Sequence, residues 1–568
     1  MPKQTPCNAP TPGQVAPVGV RKRVGLRLRA WVGGAVGTLA LATLASRIFG
    51  FGRWLAQSAF VGSGATAGAY ASANQIPNII FEIIIGGALT GVTVPLLAGA
   101  LRRGDRRQLD SIASALLTWV LLILTTVAMV VFFLAPTVAH ALPVPLGADP
   151  QTQHALITTF LRIFTWQIPL YGACLVLTGI LQAHERFLLP ALGPLFASVV
   201  VIATFATYAA ALRSGQSHTA LAILAWGTTA GVAAMTVPLL FPVWKLGVRL
   251  RPTLHLEATH RRRAVKLGAS GLGALLAQQV SVVVALWLMR RWGEGGTVAV
   301  FQYVQAVYWL PYAILAYPLA TAAFPKLSQL GEDGAGEDFQ RTCAWATRRV
   351  VTAALVGSAM ISALAPVAQA FFELLTPVPG MGRSLFLIAP AMIGYAMLYH
   401  GQRVLYAVMA TRSAWQVGVL SWLAVAGFAT VATVGFARNG HALYPGASWA
   451  DFNPQTWTAG EQALAGIAVG HTVGLMVAVV GVLVAIYRQV GPAGLRGLGA
   501  NTWRLVLTLT PATVAGWGLS HWWVSGEAGV WLRIAQCVAA AVVALLLLAG
   551  AVVLSGRSVR ADFTAAPR

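Results

Sequence analysis

Long runs of apolar residues, separated by short polar segments, recur along nearly the whole chain. A bilayer with a hydrocarbon core of about 30 Å needs about 20 apolar residues for each helical span. The pattern therefore predicts an all-α polytopic membrane protein with about fourteen transmembrane helices. The predicted spans cover roughly residues 33–61, 68–100, 111–138, 153–182, 187–211, 219–243, 264–290, 298–328, 342–370, 383–410, 413–437, 460–487, 501–523 and 529–556.

The composition and the placement of charge agree with this pattern. The chain has 568 residues, of which 57% are hydrophobic and 10% are charged, and its net charge is +23. About 29 of the 39 lysines and arginines fall in the tails and loops on one predicted side, and about five fall in loops on the other. This asymmetry is typical of cytoplasmic loops that face anionic lipid. We therefore predict a multi-pass protein of the cell membrane with both termini cytoplasmic and no nucleic-acid partner.

An internal similarity indicates two related halves. The stretch QIPNIIFEIIIGGALTGVTVPLL (75–97) aligns with QAVYWLPYAILAYPLATAAFPKL (305–327) at an offset of 230 residues. A second match, at an offset of 224, places Tyr171, Leu181 and Ala183 on Tyr395, Leu405 and Ala407. Six predicted spans separate each pair, so the halves would be parallel repeats with a substrate site between them, as in transporters. Chance similarity among apolar helices is the alternative.

These observations give a predicted division of the chain. Two six-helix bundles form its body, and tails, a linker and two extra helices complete it. The predicted segments are a disordered basic tail (1–32), the first bundle (33–243), a basic cytoplasmic linker (244–263), the second bundle (264–487), two extra transmembrane helices (488–556) and a cytoplasmic tail (557–568).

Charged residues inside the predicted spans are the candidates for function. Arg47 and Arg53 lie in the first span, Arg162 in the fourth and Arg403 in the tenth, whereas Glu82 is the one acid deep in a span. Charged side chains at this depth are costly and face a bundle interior or a wet cavity. The excess of arginine predicts a cavity for an anionic substrate, because the planar guanidinium binds two phosphate oxygens at once.

Arg47 and Glu82 are predicted to lie at similar depth, each about 14 residues from the outer end of its helix. An ion pair between them is therefore feasible. It would either pin two helices together or hold Arg47 only while the substrate is absent. We also assign Ser46, Gln75 and Asn78, which lie near these charges in the sequence, to the cavity or its gate.

No catalytic or metal-binding pattern accompanies these residues. The ten histidines show no HExxH spacing, no Walker A motif is present and the four cysteines are scattered. We therefore predict a transporter without catalytic residues, metal or cofactor.

Several stretches resemble the MurJ/MviN family of lipid II flippases, especially its actinobacterial branch. They are SRIFGFGRWLAQSAFVGSGATAGAYASANQIPNIIFEIIIGGALTGVTVPLL (46–97), IPLYGACLVLTGILQAHERFLLPALGPL (168–195) and FQYVQAVYWLPYAILAYPLATAAFPKLS (301–328). The resemblance implies the fold of the multidrug/oligosaccharidyl-lipid/polysaccharide exporters, with two C-terminal helices that form a groove for a polyprenyl tail. It implies transfer of lipid II to the outer leaflet for peptidoglycan synthesis and cell shape, with Arg47 and Arg53 contacting the diphosphate.

The sequence also departs from the family pattern. Trp54 and Gly68 occupy positions that are acidic in many members, Phe81-Glu82 replaces a double arginine, and Ala306 replaces an arginine of the eighth helix. The seventh and eleventh spans lack the aspartates that bind sodium in some members. A sodium site is therefore not expected.

The partners implied are lipid II or a related polyprenyl-diphosphate glycan, membrane lipids and cell-wall synthesis proteins. Three other functions stay open at this point. They are a flippase for another polyprenyl-diphosphate glycan, a drug/cation antiporter, which would need more acids than Glu82, and a membrane glycosyltransferase, which would need a catalytic carboxylate.

Overall fold

A computed structural model describes residues 35–84, 96–97, 99–255, 272–332, 334–439, 457–524 and 529–556. The predicted tails and the last part of the predicted linker lie outside these residues. The helices are α1 (Ala35–Phe60), α2 (Ala65–Ile84), α3 (Arg106–Ala141), α4 (Pro150–Phe164), α5 (Gln167–Ala183), α6 (Leu188–Arg213), α7 (Ser217–Thr236), α8 (Leu240–Lys245), α9 (Leu272–Trp292), α10 (Thr297–Pro311), α11 (Tyr317–Gly331), α12 (Glu337–Glu373), α13 (Met381–Ile388), α14 (Ala391–Ala407), α15 (Thr411–Asn439), α16 (Ala459–Val490), α17 (Leu498–Val524) and α18 (Val530–Leu554).

The all-helical membrane fold is confirmed, but the count of fourteen spans is not. Among the described residues, ten helices or helix pairs are long and apolar enough to cross a membrane, and the bent pair α13–α14 brings the number to eleven. The other three predicted spans fall on α1, α2 and α17. Polar side chains such as Arg47, Glu82 and Arg504 interrupt these helices, and α1 and α2 also adjoin residues outside the described part.

Side chains at the helix starts explain why several helices begin where they do. Asp105 accepts a hydrogen bond from the backbone N–H of Gln108 at the start of α3, and Asp149 caps α4 in the same way. Thr458 and Glu461 form a reciprocal capping box at the start of α16. Such caps satisfy backbone donors that have no partner within the helix.

Two spans are broken at corresponding positions. The fourth span is interrupted at Thr165–Trp166, between α4 and α5, and the tenth is interrupted at Ala389–Pro390, between α13 and α14. These breaks lie 224 residues apart, which is the offset of the second sequence match. The α13–α14 bend is 45°. The shared break supports the prediction of internal repeats, because the two matched segments also share a backbone irregularity.

The helices pack as two groups, α1–α8 and α9–α16, with α17 and α18 as an appended pair. In the first group α1 packs on α6, and in the second α15 packs on α16 and α9. Helices α17 and α18 pack on each other and on α12, where Leu505, Leu509 and Leu548 bury their side chains beside Ala363. Large apolar side chains on the outward faces, such as Phe133, which is 70% exposed, are suited to lipid.

Candidate functional site

The two groups of helices meet at one end of the molecule, which we term the closed end: residues 57–72, 143–153, 289–303 and 376–377. Ser63 Oγ donates a hydrogen bond to the carbonyl oxygen of Pro377 (2.5 Å) and lies 3.2 Å from Thr376 Oγ1. The hydroxyl of Tyr303 donates to the carbonyl oxygen of Gly62 (2.6 Å). These bonds join the α1–α2 connection directly to the second group.

Glycines allow the backbones to touch at the closed end. A side chain at Gly68 would overlap the carbonyl oxygen of Gly295, and one at Gly296 would overlap that of Ser63. Here the absence of a Cβ permits close approach of two backbones. Two main-chain segments from different groups of helices therefore touch at Gly68 without intervening side chains.

The buried side chain of Arg290 connects several segments of the closed end by hydrogen bonds. Its side chain is fully buried, at 0% exposure. Its Nε donates to the carbonyl oxygen of Pro143 (2.9 Å), Nη1 to Ser72 Oγ (3.2 Å) and Nη2 to Gln153 Oε1 (3.5 Å). One guanidinium on α9 therefore binds α2, α4 and the α3–α4 connection. Among the described residues these partners are neutral, so hydrogen bonds alone compensate the buried charge.

Sequence reasoning placed Arg290 at the end of the predicted seventh span and missed this role. Its neighbour Arg291 is exposed and stacks on Trp292, with 4.8 Å from the guanidinium carbon to the ring centroid. A double arginine at the end of an apolar helix does not reveal which member turns inward. Glu294 closely follows both arginines and therefore does not mark the buried one.

At the opposite ends of α1 and α2 the side chains are accessible. Arg47 is exposed, and Arg53, one to two turns nearer the closed end, is half-buried. The Arg53 guanidinium lies 4.7 Å from the Trp54 ring centroid and interacts electrostatically with Tyr70 and Tyr171. Neither arginine has a carboxylate partner among the described residues. Both therefore retain free donors for an anion.

The predicted ion pair between Arg47 and Glu82 does not form in this conformation. The Glu82 side chain is exposed and interacts electrostatically with Tyr399 of α14, which also interacts with Arg403. Tyr399 donates a hydrogen bond to Gln278 Oε1 (3.2 Å). Glu82 is thus within electrostatic range of a residue in the second group of helices.

Arg403 lies beside a cluster of aromatic rings on α10, α11 and α14. Its guanidinium carbon is 5.6 Å from the ring centroid of Tyr317, and its buried Nη1 has no hydrogen-bond partner among the described residues. It also interacts electrostatically with Tyr312 in the π-helical turn between α10 and α11. π-Helical turns occur frequently at functional sites.

Two predicted polar residues of α2 lie against other helices. Asn78 Oδ1 accepts a hydrogen bond from Tyr171 of α5 (3.3 Å). Gln75 lines a small cavity of about 60 Å³ between the two groups, together with Gln302, Gln305 and His471. Gln75 and Gln305 are the matched residues of the internal similarity, and here they line one cavity.

The structure does not bring Ser46 and Arg162 to this constellation. Ser46 is buried, and its hydroxyl donates to the carbonyl oxygen of Ala191 on α6 (2.7 Å). Arg162 is exposed, and its recorded contact is with the ring of Phe132 on α3, at 5.5 Å. Ser46 is held at a helix contact because α1 packs along α6. Within the described residues, no group of histidine, cysteine and acidic side chains could hold a metal ion.

Comparisons with known proteins identify relatives of this chain. A family model described as lipid II flippase MurJ matches residues 57–535. The probable lipid II flippase MurJ of Rhizobium meliloti is 27% identical over 300 residues, which are 51% of this chain and 54% of that protein. The lipid II flippase MurJ of Burkholderia cenocepacia is 25% identical over 343 residues, 59% and 63% of the two chains. The chain thus spans between half and two thirds of the length of these relatives.

Solved structures match over more of the chain. A lipid II flippase MurJ in an inward closed conformation aligns with a TM-score of 0.65 and 15% identity, covering 90% of this chain and 97% of that one. An inward-facing multidrug resistance transporter of the MATE family aligns with a TM-score of 0.61 and 16% identity, covering 84% and 99%. At these identities the likeness shows a common fold.

Proposed function

Because the chain belongs to the lipid II flippase MurJ family, we propose that it carries lipid II, the lipid-linked peptidoglycan precursor, from the cytoplasmic to the outer leaflet. The observation that carries the proposal is the pair Arg47 and Arg53. Arg47 lies on α1 far from the closed end, Arg53 lies between Arg47 and that end, and neither has a carboxylate partner among the described residues. A diphosphate supplies the anion that two such arginines lack, and the guanidinium fork fits its oxygens.

Alternating access gives this arrangement its mechanism. The closed end seals the two groups of helices against each other, while the ends that bear Arg47 and Glu82 stay accessible. We place the closed end at the outer face and both termini in the cytoplasm, in keeping with the basic loops. Substrate then enters from the cytoplasmic leaflet, and its release requires the bonds at the closed end to break.

The remaining predicted residues have secondary roles in this proposal. Asn78 and Tyr171 position the substrate-facing side of α2. Gln75 shares its cavity with residues of the closed end and is suited to sense its opening. Arg403 and Tyr399 form the opposite wall, where Glu82 limits the excess of positive charge. Proteins of cell-wall synthesis are the partners that would receive the transferred precursor.

The test is transfer of lipid II between leaflets. Cells depleted of their own flippase would express the wild-type chain, Arg53→Ala or the control Arg341→Ala, and an impermeant reagent would report lipid II in the outer leaflet. Arg341 is an exposed arginine paired with Glu337, and its loss costs little. We expect wild type and Arg341→Ala to restore outer lipid II, and Arg53→Ala to reach the membrane at normal abundance but fail. Full transfer by Arg53→Ala contradicts the proposed role.

A further inference from the structure

A second cavity, of about 230 Å³, lies where α17 and α18 meet the rest of the molecule. None of its lining residues belongs to the cleft, by which we mean the accessible space beside Arg47, Arg53 and Glu82. Its walls come from the end of α12, the start of α13, the start of α16, the end of α17 and the start of α18. Four of its lining residues are charged, namely Glu373, Arg383, Glu461 and Arg533. We term it the junction pocket.

One of the two ion pairs in the junction pocket has a short contact distance. Arg383 Nη1 lies 2.9 Å from Glu461 Oε1, and the guanidinium stacks on Trp457 at 4.8 Å. Glu461 Oε2 also accepts the backbone N–H of Thr458 (2.8 Å) in the capping box of α16. This pair is part of the framework and holds the start of α16 against α13.

The other pair has hydrogen-bonding capacity to spare. Arg533 Nη2 lies 3.5 Å from Glu373 Oε2, a long contact, and Arg533 Nε is buried without a hydrogen-bond partner among the described residues. The other oxygen of Glu373 accepts a bond from Gln369 (2.8 Å). A buried donor on a charged group without a partner is costly. An anionic oxygen in the pocket would satisfy it.

Exposed aromatic residues indicate the depth of the junction pocket. Trp522 and Trp531 are 71% and 84% exposed, and each lies within two residues of a pocket residue, His521 or Arg533. Tryptophan is enriched where a membrane surface meets water. Val530 and Leu532, exposed beside them, suit the adjoining acyl chains. The pocket therefore lies at the level of lipid headgroups.

We propose that the junction pocket binds the headgroup of a zwitterionic phospholipid that carries a primary ammonium group, with its phosphate on Arg533 and its ammonium on Glu373. The pocket holds two arginines and two glutamates, so its formal charge is zero with histidine neutral. A neutral pocket does not favour an anionic lipid, whereas a headgroup with both charges can meet a cation and an anion. This site is distinct from the cleft that contains Arg47 and Arg53.

The test measures which lipids the full-length protein retains. The protein would be purified from membranes containing equal amounts of phosphatidylethanolamine, phosphatidylglycerol and phosphatidylcholine, and the bound lipids would be quantified by native mass spectrometry. We expect phosphatidylethanolamine to be retained over phosphatidylglycerol, which lacks the cation, and over phosphatidylcholine, whose methylated nitrogen has no N–H donors.

Two variants should change this selectivity in different directions. Arg533→Gln should lower phosphatidylethanolamine retention by about tenfold, because a charge-assisted bond to phosphate is lost. Glu373→Gln leaves the pocket with a net positive charge and should reverse the preference toward phosphatidylglycerol. Arg213→Gln, which changes an exposed arginine at the end of α6, is the control and should retain the wild-type pattern.

The possible contrary results are distinct. Equal retention by Arg533→Gln and Arg213→Gln overturns the site, and a wild-type preference for phosphatidylglycerol overturns the proposed lipid class. Displacement of phosphatidylethanolamine by equimolar lipid II would assign the pocket to the transported substrate instead and would also overturn the proposal. If Arg533→Gln does not fold, Arg533→Lys keeps the charge without the fork, and unchanged retention by that variant overturns the site as well.

Discussion

Arg290 is a buried charged residue of the closed end, and its hydrogen-bond partners there are neutral. Replacing Arg290 should therefore destabilise mainly the closed conformation. Arg290→Gln leaves acceptors of three segments without their donor. An unsatisfied buried acceptor costs about 1–3 kcal/mol. We expect the closed end to open more often, which increases the reaction of a cysteine at Ser63 with an impermeant thiol reagent.

The adjacent arginine provides a matched control. Arg291→Gln changes an exposed side chain that stacks on Trp292 and should leave the thiol reaction as in the parent. Ser72→Ala removes one of the three acceptors and should give an intermediate rate. Equal protection of the cysteine in all of these proteins would mean that Arg290 does not hold the closed end.

Glu82 yields a second prediction at this scale. Because its exposed carboxylate has no ion pair with Arg47 in this conformation, Glu82→Gln should be as abundant in the membrane as wild type. Removing a negative charge from the cleft should tighten binding of lipid II roughly fivefold, the effect of about 1 kcal/mol. Abundance and lipid II affinity are the measurements, with the exposed Glu337→Gln as control. A different result would be low abundance of Glu82→Gln that is restored when Arg47 is neutralised as well. It would show that the Arg47–Glu82 ion pair forms in another state of the transport cycle and holds the two helices together.

Sequence reasoning could select Arg47 and Arg53 as candidates because an arginine without a nearby acid is conspicuous inside an apolar run. It could not find Arg290, whose burial depends on how α9 meets α2 and α4. Nor could it reject the Arg47–Glu82 pair. Equal depth along two helices says nothing about the direction in which the side chains point, and here Glu82 interacts electrostatically with Tyr399 of the other group.

At the scale of elements, the contact of the α1–α2 connection with the start of α10 depends on glycine. Gly296 has φ −92°, which alanine adopts readily, so Gly296→Ala tests the contact rather than the backbone conformation. The added methyl would overlap the carbonyl oxygen of Ser63. We expect the closed state to be destabilised by about 1–3 kcal/mol, as for an overpacked core, and transport to fall. The measurements are lipid II transfer and the thiol reaction at the closed end.

Gly64, in the α1–α2 connection that Gly296 contacts, serves as the comparison. A Cβ at Gly64 would meet no atom within 4 Å, so Gly64→Ala should transport normally. Wild-type transfer and thiol protection in Gly296→Ala would show that the contact adapts and does not control closure.

The elements themselves were largely predictable because most predicted spans contain an apolar run of bilayer length; α1, α2 and α17, which polar side chains interrupt, are the exceptions. The breaks within spans were not predicted. Pro169 cannot donate a hydrogen bond to the carbonyl of Thr165, and Pro390 lies at the second break. Other prolines, such as Pro136 and Pro366, lie inside continuous helices, so a proline alone did not mark the breaks. Close backbone contacts, such as that of Gly68 with Gly295, also depend on segments far apart in the chain.

At the scale of the whole molecule, alternating access requires the closed end to open in every cycle. Ser63 Oγ and Thr376 Oγ1 lie 3.2 Å apart, so cysteines at both positions should form a disulfide across the two groups of helices. We expect oxidation of Ser63→Cys/Thr376→Cys to stop lipid II transfer and a reductant to restore it. Each single cysteine variant should transport under both conditions.

The native cysteines should not interfere with this cross-linking experiment. Cys174, Cys343 and Cys537 are free and buried, so they should compete little for the oxidant. Cys7, which lies outside the described residues, would be replaced by serine throughout. Continued transfer by a fully cross-linked protein would rule out transport through the closed end.

The backbone contact at Gly68, Gly295 and Gly296 also determines how the protein could be inhibited. A compound that arrives from the closed end meets main chain packed against main chain at these glycines. An inhibitor that mimics a diphosphate must therefore enter from the opposite side or through the lipid. A compound that acts from the closed side must instead act as a wedge, and its potency would depend on how often the seal opens rather than on competition with substrate.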